Sequence, residues 1–74
     1  MRVVVADDSA FMQRAISQML ASAPDIQVVG TANNGRDGLE MVKKHGPDVV
    51  TLDIEMPVMD GLTALSRIMR ECPT

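Results

Sequence analysis

Val3-Val4-Val5-Ala6-Asp7-Asp8-Ser9 decides the fold, because a fully apolar run passes directly into two carboxylates. An apolar run bounded by charge is typical of a strand that is buried on both faces. The pattern returns at residues 48–53, where Asp-Val-Val-Thr-Leu-Asp ends on Asp53. A further apolar strand is predicted at residues 26–31. Buried strands of this kind indicate a parallel sheet that is covered by helices.

Three helices are predicted, one after each strand. They span about residues 11–20, residues 35–45 and residues 61–71, where apolar side chains recur at helical spacing. Prolines or glycines follow each of them, which is where helices end. The side chains expected to face the sheet are Phe11, Met12, Ala15, Ile16, Met19 and Leu20 in the first helix, Leu39 and Val42 in the second, and Leu62, Leu65, Ile68 and Met69 in the third.

The alternation βαβαβα predicts an α/β fold with a three-stranded parallel sheet. Right-handed crossovers and short loops favour the strand order 2-1-3, which makes strands one and three neighbours. Asp7 and Asp8 then follow one strand, and Asp53 follows its neighbour. Ligands of open parallel sheets bind beyond the carboxyl ends of the strands. We therefore expect these three carboxylates to converge on one site.

Three carboxylates at one point repel each other, and a divalent cation would remove that repulsion. A set of oxygen ligands without His or Cys suits Mg²⁺ or Mn²⁺. An aspartate beside such an ion can act as a nucleophile and form an aspartyl phosphate. The alternative for Asp7 and Asp8 is that they only cap the first helix, where negative charge is favourable. That alternative does not explain Asp53 at the end of a buried strand.

The composition limits the classes of function. The net charge is −3, and the seven Lys and Arg residues are scattered, so direct nucleic-acid binding is not expected. The single Cys72 excludes an internal disulfide. No apolar run approaches the roughly 20 residues that span a bilayer, and the N-terminus does not resemble a signal peptide. We expect a cytoplasmic protein without a membrane partner.

The two acidic motifs resemble those of two-component response regulator receiver domains, which have a flavodoxin-like fold. Residues 3–9 resemble their first strand and acidic pair, and residues 52–61 resemble their phosphoacceptor motif. The resemblance implies that Asp53 is phosphorylated by a histidine kinase with Mg²⁺ as cofactor. It further implies the protein's share of the metal site, which is Asp8 directly, Asp7 through a bound water, Asp53, and the backbone carbonyl of Glu55.

Within this family, residues 25–32 and 51–62 are similar to the chemotaxis response regulators that carry a protein-glutamate methylesterase. The resemblance implies that phosphorylation controls such an output domain, so that the parent protein is an enzyme although this segment is not. DNA-binding regulators share much of the same sequence. The alternative that this receiver controls a DNA-binding output domain is therefore not excluded by the sequence.

A complete receiver domain of this family has five β/α units, whereas residues 1–74 contain three. The resemblance implies a partial receiver domain that lacks the last two units, their Ser/Thr and Lys phosphate ligands, and any output domain. The third strand would then be an apolar edge, and such edges pair with other chains. We therefore expect a homo-oligomer, most simply a two-fold dimer that joins strand three to strand three.

Two other functions remain open. One class of metal-dependent phosphohydrolase also uses an aspartate nucleophile. Its members have a second Asp two residues later as general acid, where this sequence has Glu55. An inactive half-domain scaffold would keep the fold without the chemistry.

Overall fold

A computed structural model describes residues 1–53 and 58–72. The element order confirms the predicted βαβαβα alternation, with boundaries within one or two residues of those expected. The elements are β1 (Arg2–Ala6), α1 (Ala10–Ala21), β2 (Gln27–Ala32), α2 (Gly35–His45), β3 (Val49–Leu52) and α3 (Gly61–Glu71).

The three strands form one parallel sheet in the order β2-β1-β3, as predicted. In the pairing of β1 with β3, Val5 lies opposite Thr51 and Ala6 lies opposite Leu52. The carboxyl ends of these two strands are therefore level. Right-handed crossovers in this strand order put α1 on one face of the sheet and α2 on the other.

The central strand β1 forms the middle of the core. Its residues 3–6 are at most 2% exposed, because helices cover both faces of the sheet. On the α2 side, Leu39 and Val42 pack with Ile68 of α3, and Val50 and Leu52 of β3 join them. Burial of an aliphatic side chain stabilises the fold by roughly 1.5–3 kcal/mol, so this cluster fixes both helices on the sheet.

The prediction of which α1 side chains face the sheet is confirmed for only part of the set. Ala15, Ile16 and Leu20 are half-buried, but Phe11 is 77% and Met19 is 70% exposed. Among the described residues, no second helix lies beside α1. The other two helices, α2 and α3, pack on each other on the opposite face of the sheet. The apolar stripe of α1 is thus wider than the surface that this sheet offers it.

The prediction for α3 also needs correction. Ala64 and Ile68 form its buried face, whereas Leu62, Leu65 and Met69 are exposed. Leu65 and Met69 line an open groove of about 240 Å³ beside β3. The helix carries two adjacent apolar faces, and the described chain covers one of them.

Close backbone contact attaches the loop after β3 to the start of α2. The backbone N–H of Gly35 donates to the carbonyl oxygen of Met59 at 2.8 Å. A Cβ atom at Gly35 would lie 2.0 Å from that oxygen, so only glycine fits. The preceding Val58 has φ 68, an unfavourable conformation for a β-branched residue, with a cost of roughly 1–3 kcal/mol.

An exposed ion-pair network joins α2 to α3. The Glu71 carboxylate lies 2.8 Å from Lys43 Nζ and 2.8 Å from Arg67 Nε. These two partners, Lys43 first, lower the pKa of Glu71 to about 2, and Glu71 in turn raises the pKa of Lys43. Both helices are thus tied at the end of the sheet that lies opposite the acidic motifs.

All three helices are short, with eleven or twelve residues each. In the part of the chain that the structure describes, none is long and apolar enough to cross a bilayer.

Replacing Gly35 by Ala should destabilise the chain by about 1–3 kcal/mol, because the new methyl group would push the Met59 carbonyl out of its hydrogen bond. Urea unfolding measures this difference. The matched control is Gly38→Ala in the same helix, where the nearest atom is Ala6 Cβ at 3.3 Å. An equal loss of unfolding free energy in the two variants would contradict the proposed close contact.

Replacing Glu71 by Gln should lower the thermal midpoint at pH 7 and low salt. Because folding lowers the pKa of Glu71 from 4.5 to about 2, its ion pairs stabilise the fold above pH 4.5. The difference between the parent and the variant should therefore shrink from pH 4.5 towards pH 2, and also in high salt. Glu40→Gln is the control, since Glu40 acts on Lys43 only at longer range. A difference that is independent of pH would refute this account.

Candidate functional site

Asp53 directly follows β3 and continues its pairing with β1. Its backbone N–H donates to the Ala6 carbonyl oxygen at 3.1 Å, so the ladder extends one residue beyond the strand. The residue is half-buried. The pairing with β1 therefore fixes the backbone from which this carboxylate extends.

Asp7 is held in the same way at the end of β1. Its backbone N–H donates to the Ala32 carbonyl oxygen of β2 at 2.9 Å, and its Oδ1 accepts the Ser9 N–H at 2.9 Å. The next residue, Asp8, is exposed. The carboxyl ends of both strands thus present acidic side chains on the same edge of the sheet.

The structure brings the three predicted carboxylates together. One oxygen each from Asp7, Asp8 and Asp53 lies within 4.8 Å of the others. An Mg²⁺–oxygen distance of about 2.1 Å would separate opposite ligands by roughly 4.2 Å. Only one pair of three ligands can lie opposite each other, and adjacent ligands lie roughly 3.0 Å apart, so the side chains would have to rotate towards a shared ion. The all-carboxylate donor set suits a hard cation.

The cluster opens into a pocket of about 370 Å³. Asp7, Asp8 and Asp53 line it together with Met12 and Ile16 of α1. One water occupies about 30 Å³, so a hydrated cation and a phosphate-sized group would fit together. The methionine and isoleucine give the pocket an apolar wall.

Helix capping does not account for the acidic pair. Ser9 is the N-cap of α1, and its Oγ accepts the Met12 N–H at 3.2 Å. No acidic residue lies in the first turn of that helix. The capping alternative is wrong in its assignment, because the serine caps α1 and the two aspartates stand before it.

Asp60 is held away from the acidic cluster by its own helix. It is the N-cap of α3, and its Oδ1 accepts the Thr63 N–H at 2.7 Å. That hydrogen bond holds the pKa of the Asp60 carboxyl below its ordinary value. Its role is to fix the end of the loop that begins at Asp53. The predicted ligand carbonyl of Glu55 lies within the same loop but outside the described residues.

Two residues that support the site were not foreseen from the sequence. Gly35 contacts the loop after β3, and the Gln13 side chain joins the ends of β1 and β2. The sequence shows the glycine only as the first residue of the second predicted helix. The glutamine gave no signal, because its partner at residue 32 is distant in sequence and the contact uses a backbone oxygen.

Sequence relatives of this chain are named for one enzyme. A protein-glutamate methylesterase/protein-glutamine glutaminase of Oleidesulfovibrio alaskensis is 67% identical over 72 residues, which are 97% of this chain and 20% of the relative. One of the same name from Methanosarcina acetivorans is 56% identical, over 99% of this chain and 21% of the relative. The chain therefore spans about a fifth of the length of these relatives.

Solved structures share the fold. The response regulator domain of CheB from Thermotoga maritima is 46% identical, with a TM-score of 0.98, over 100% of this chain and 55% of that one. A chain of the CheX–CheY–BeF3–Mg²⁺ complex of Borrelia burgdorferi is 39% identical, with a TM-score of 0.89, over 95% and 53%.

These likenesses agree with a match over residues 3–74 to the response regulator receiver domain family. The acidic motifs predicted that family and its methylesterase-type chemotaxis branch, and both predictions are confirmed. This chain belongs to the response regulator receiver domain family.

Proposed function

We propose that this chain is the N-terminal part of the phosphoacceptor receiver of a chemotaxis response regulator. In this proposal Asp53 accepts a phosphoryl group from a histidine kinase in the cytoplasm, with Mg²⁺ held by Asp7, Asp8, Asp53 and the Glu55 carbonyl. The modified receiver then controls a protein-glutamate methylesterase output domain, which follows in the parent protein.

The observation that carries this proposal is the meeting of three carboxylates beyond β1 and β3. Family membership supports the same chemistry, and one solved relative was determined as a complex with BeF3 and Mg²⁺. The output domain rests on the names of the curated relatives, of which this chain spans about a fifth. The fold alone would not distinguish methylesterase from DNA-binding outputs.

The family motif implies that Asp53 is the nucleophile. Its half-buried position directly after β3 is compatible with that role, and Asp7 is held similarly after β1. In the proposed step, an Asp53 carboxylate oxygen forms a bond to the phosphorus of phosphohistidine while the phosphorus–nitrogen bond breaks. The leaving imidazole keeps the bonding electron pair and takes a proton from water. The product is an acyl phosphate on Asp53.

Asp7 and Asp8 would hold the cation opposite Asp53. When bound, Mg²⁺ supplies positive charge that offsets the repulsion between the carboxylates and the incoming phosphoryl oxygens. The two residues differ in exposure, since Asp7 is half-buried and fixed through Ser9 while Asp8 faces solvent. The family resemblance implies that Asp8 is the direct ligand and that Asp7 acts through a bound water.

The proposal extends to the oligomeric state of the 74-residue chain on its own. The described chain pairs β3 with β1 on one side only, and Val49 is 40% exposed at the open edge. The groove beside it is lined by Val50, Leu65 and Met69. An apolar edge of this kind pairs with another strand, and a second copy related by a two-fold axis offers the same edge.

Acetyl phosphate and Mg²⁺ should add one phosphoryl group to the chain, as seen by intact mass, and peptide mapping should locate it at Asp53. Asp53→Asn and a chelator should each abolish the addition, whereas Asp25→Asn, which removes an exposed carboxylate in another turn, should not. Unmodified parent chain, or modification of the Asn variant, would contradict the proposal. Continuous release of phosphate from an ester substrate would favour the phosphohydrolase instead.

At micromolar concentration, the 74-residue chain should sediment as a dimer. Val49→Lys should shift it to a monomer, because a charged side chain at a sheet edge opposes pairing. Val58→Lys is the matched control, since Val58 is also exposed but lies outside the sheet. A parent chain that is monomeric and unfolds cooperatively would refute self-association through β3.

A further inference from the structure

Gln13 makes an unusual pair of contacts from the first turns of α1. Its side-chain Nε2 donates to the Asp7 carbonyl oxygen at 2.7 Å and to the Ala32 carbonyl oxygen at 2.7 Å. The two hydrogens of one amide group thus serve the last residue of β2 and the residue that follows β1. Because both partners are carbonyl oxygens, the reverse orientation of the amide would place oxygen against oxygen.

These contacts complete the fixation of Asp7. Its N–H already donates to Ala32, and its Oδ1 accepts the Ser9 N–H. The Gln13 bond to its carbonyl oxygen fixes the peptide that joins Asp7 to Asp8. The Gln13 side chain therefore adds a contact to the peptide group that both acidic residues share.

Helix stability does not require this side chain. Ser9 caps α1, and the backbone N–H of Gln13 already donates to the Ser9 carbonyl oxygen. Gln18 in the same helix is exposed, which is the usual situation of a glutamine on a helix surface. The Gln13 amide instead satisfies the backbone oxygen of Asp7, which lines the acidic pocket, and that of Ala32 at the end of β2.

We propose that Gln13 is a positioning residue of the cation site, which sets the metal affinity by holding the peptide between Asp7 and Asp8. This inference rests on the proposed function, because it assigns to Gln13 a role at the same site. Partners that orient metal ligands typically change metal affinity by 10–100-fold when they are removed.

The test is the Mg²⁺ and Mn²⁺ affinity of the folded 74-residue chain, measured by titration calorimetry on the parent and two variants. Gln13→Met keeps the side-chain length and removes both donors, and it should weaken binding by about tenfold. Gln18→Met makes the same chemical change on the exposed face of α1 and should leave the affinity unchanged. Urea unfolding without metal reports the purely structural cost separately.

The shorter Gln13→Asn keeps an amide that cannot reach both carbonyl oxygens, and its affinity should also fall. This variant replaces Gln13→Met in the affinity measurement if the methionine variant does not fold. Parent-like affinity in a folded Gln13 variant would overturn the inference, even if that variant were less stable. A parent chain that binds neither metal would overturn the proposed metal site and the inference with it, so the two failures are distinguishable.

Discussion

The parallel pairing of β1 with β3 is the constraint on which the rest of this structure depends. It places Ala6 opposite Leu52, and the Asp53 N–H then donates to the Ala6 carbonyl oxygen. The residues after both strands are carboxylates, so the register alone brings negative charges together. A slip of one residue would turn Asp53 to the other face of the sheet and separate them.

The burial of β1 makes this register costly to change. Residues 3–6 are nearly inaccessible to solvent, so a slip of one residue would move a charged flanking residue, Arg2 or Asp7, into the buried stretch, which is costly without a partner. Hydrophobic burial thus holds together three carboxylates that repel each other. A cation that binds the folded chain would add stability by mass action, since the unfolded chain does not assemble the three ligands.

The sequence contained enough to predict the strands, their order and the acidic cluster. The strands are continuous apolar runs, and Asp7, Asp8 and Asp53 follow them directly, so local pattern and crossover handedness were sufficient. The faces of α1 and α3 were predicted less well. Helical periodicity reports that Phe11 or Leu65 belongs to an apolar stripe, but it does not report whether a neighbour covers that stripe.

The contacts that support the site could not be predicted from the sequence, for a different reason. The Gln13 side chain bonds a backbone oxygen 19 positions away, and the Gly35 backbone contacts the Met59 carbonyl. Backbone oxygens carry no residue-type signal, so spacing arguments do not detect them. These contacts connect the acidic cluster to the body of the fold, and they make its geometry a property of several elements.

The most direct test of this account is the anomalous scattering of Mn²⁺ in crystals of the chain soaked with manganese chloride. The account predicts one strong peak within coordination distance of the Asp8 and Asp53 carboxylates and close to Asp7. A peak at another carboxylate, or none where these three side chains meet, would contradict it.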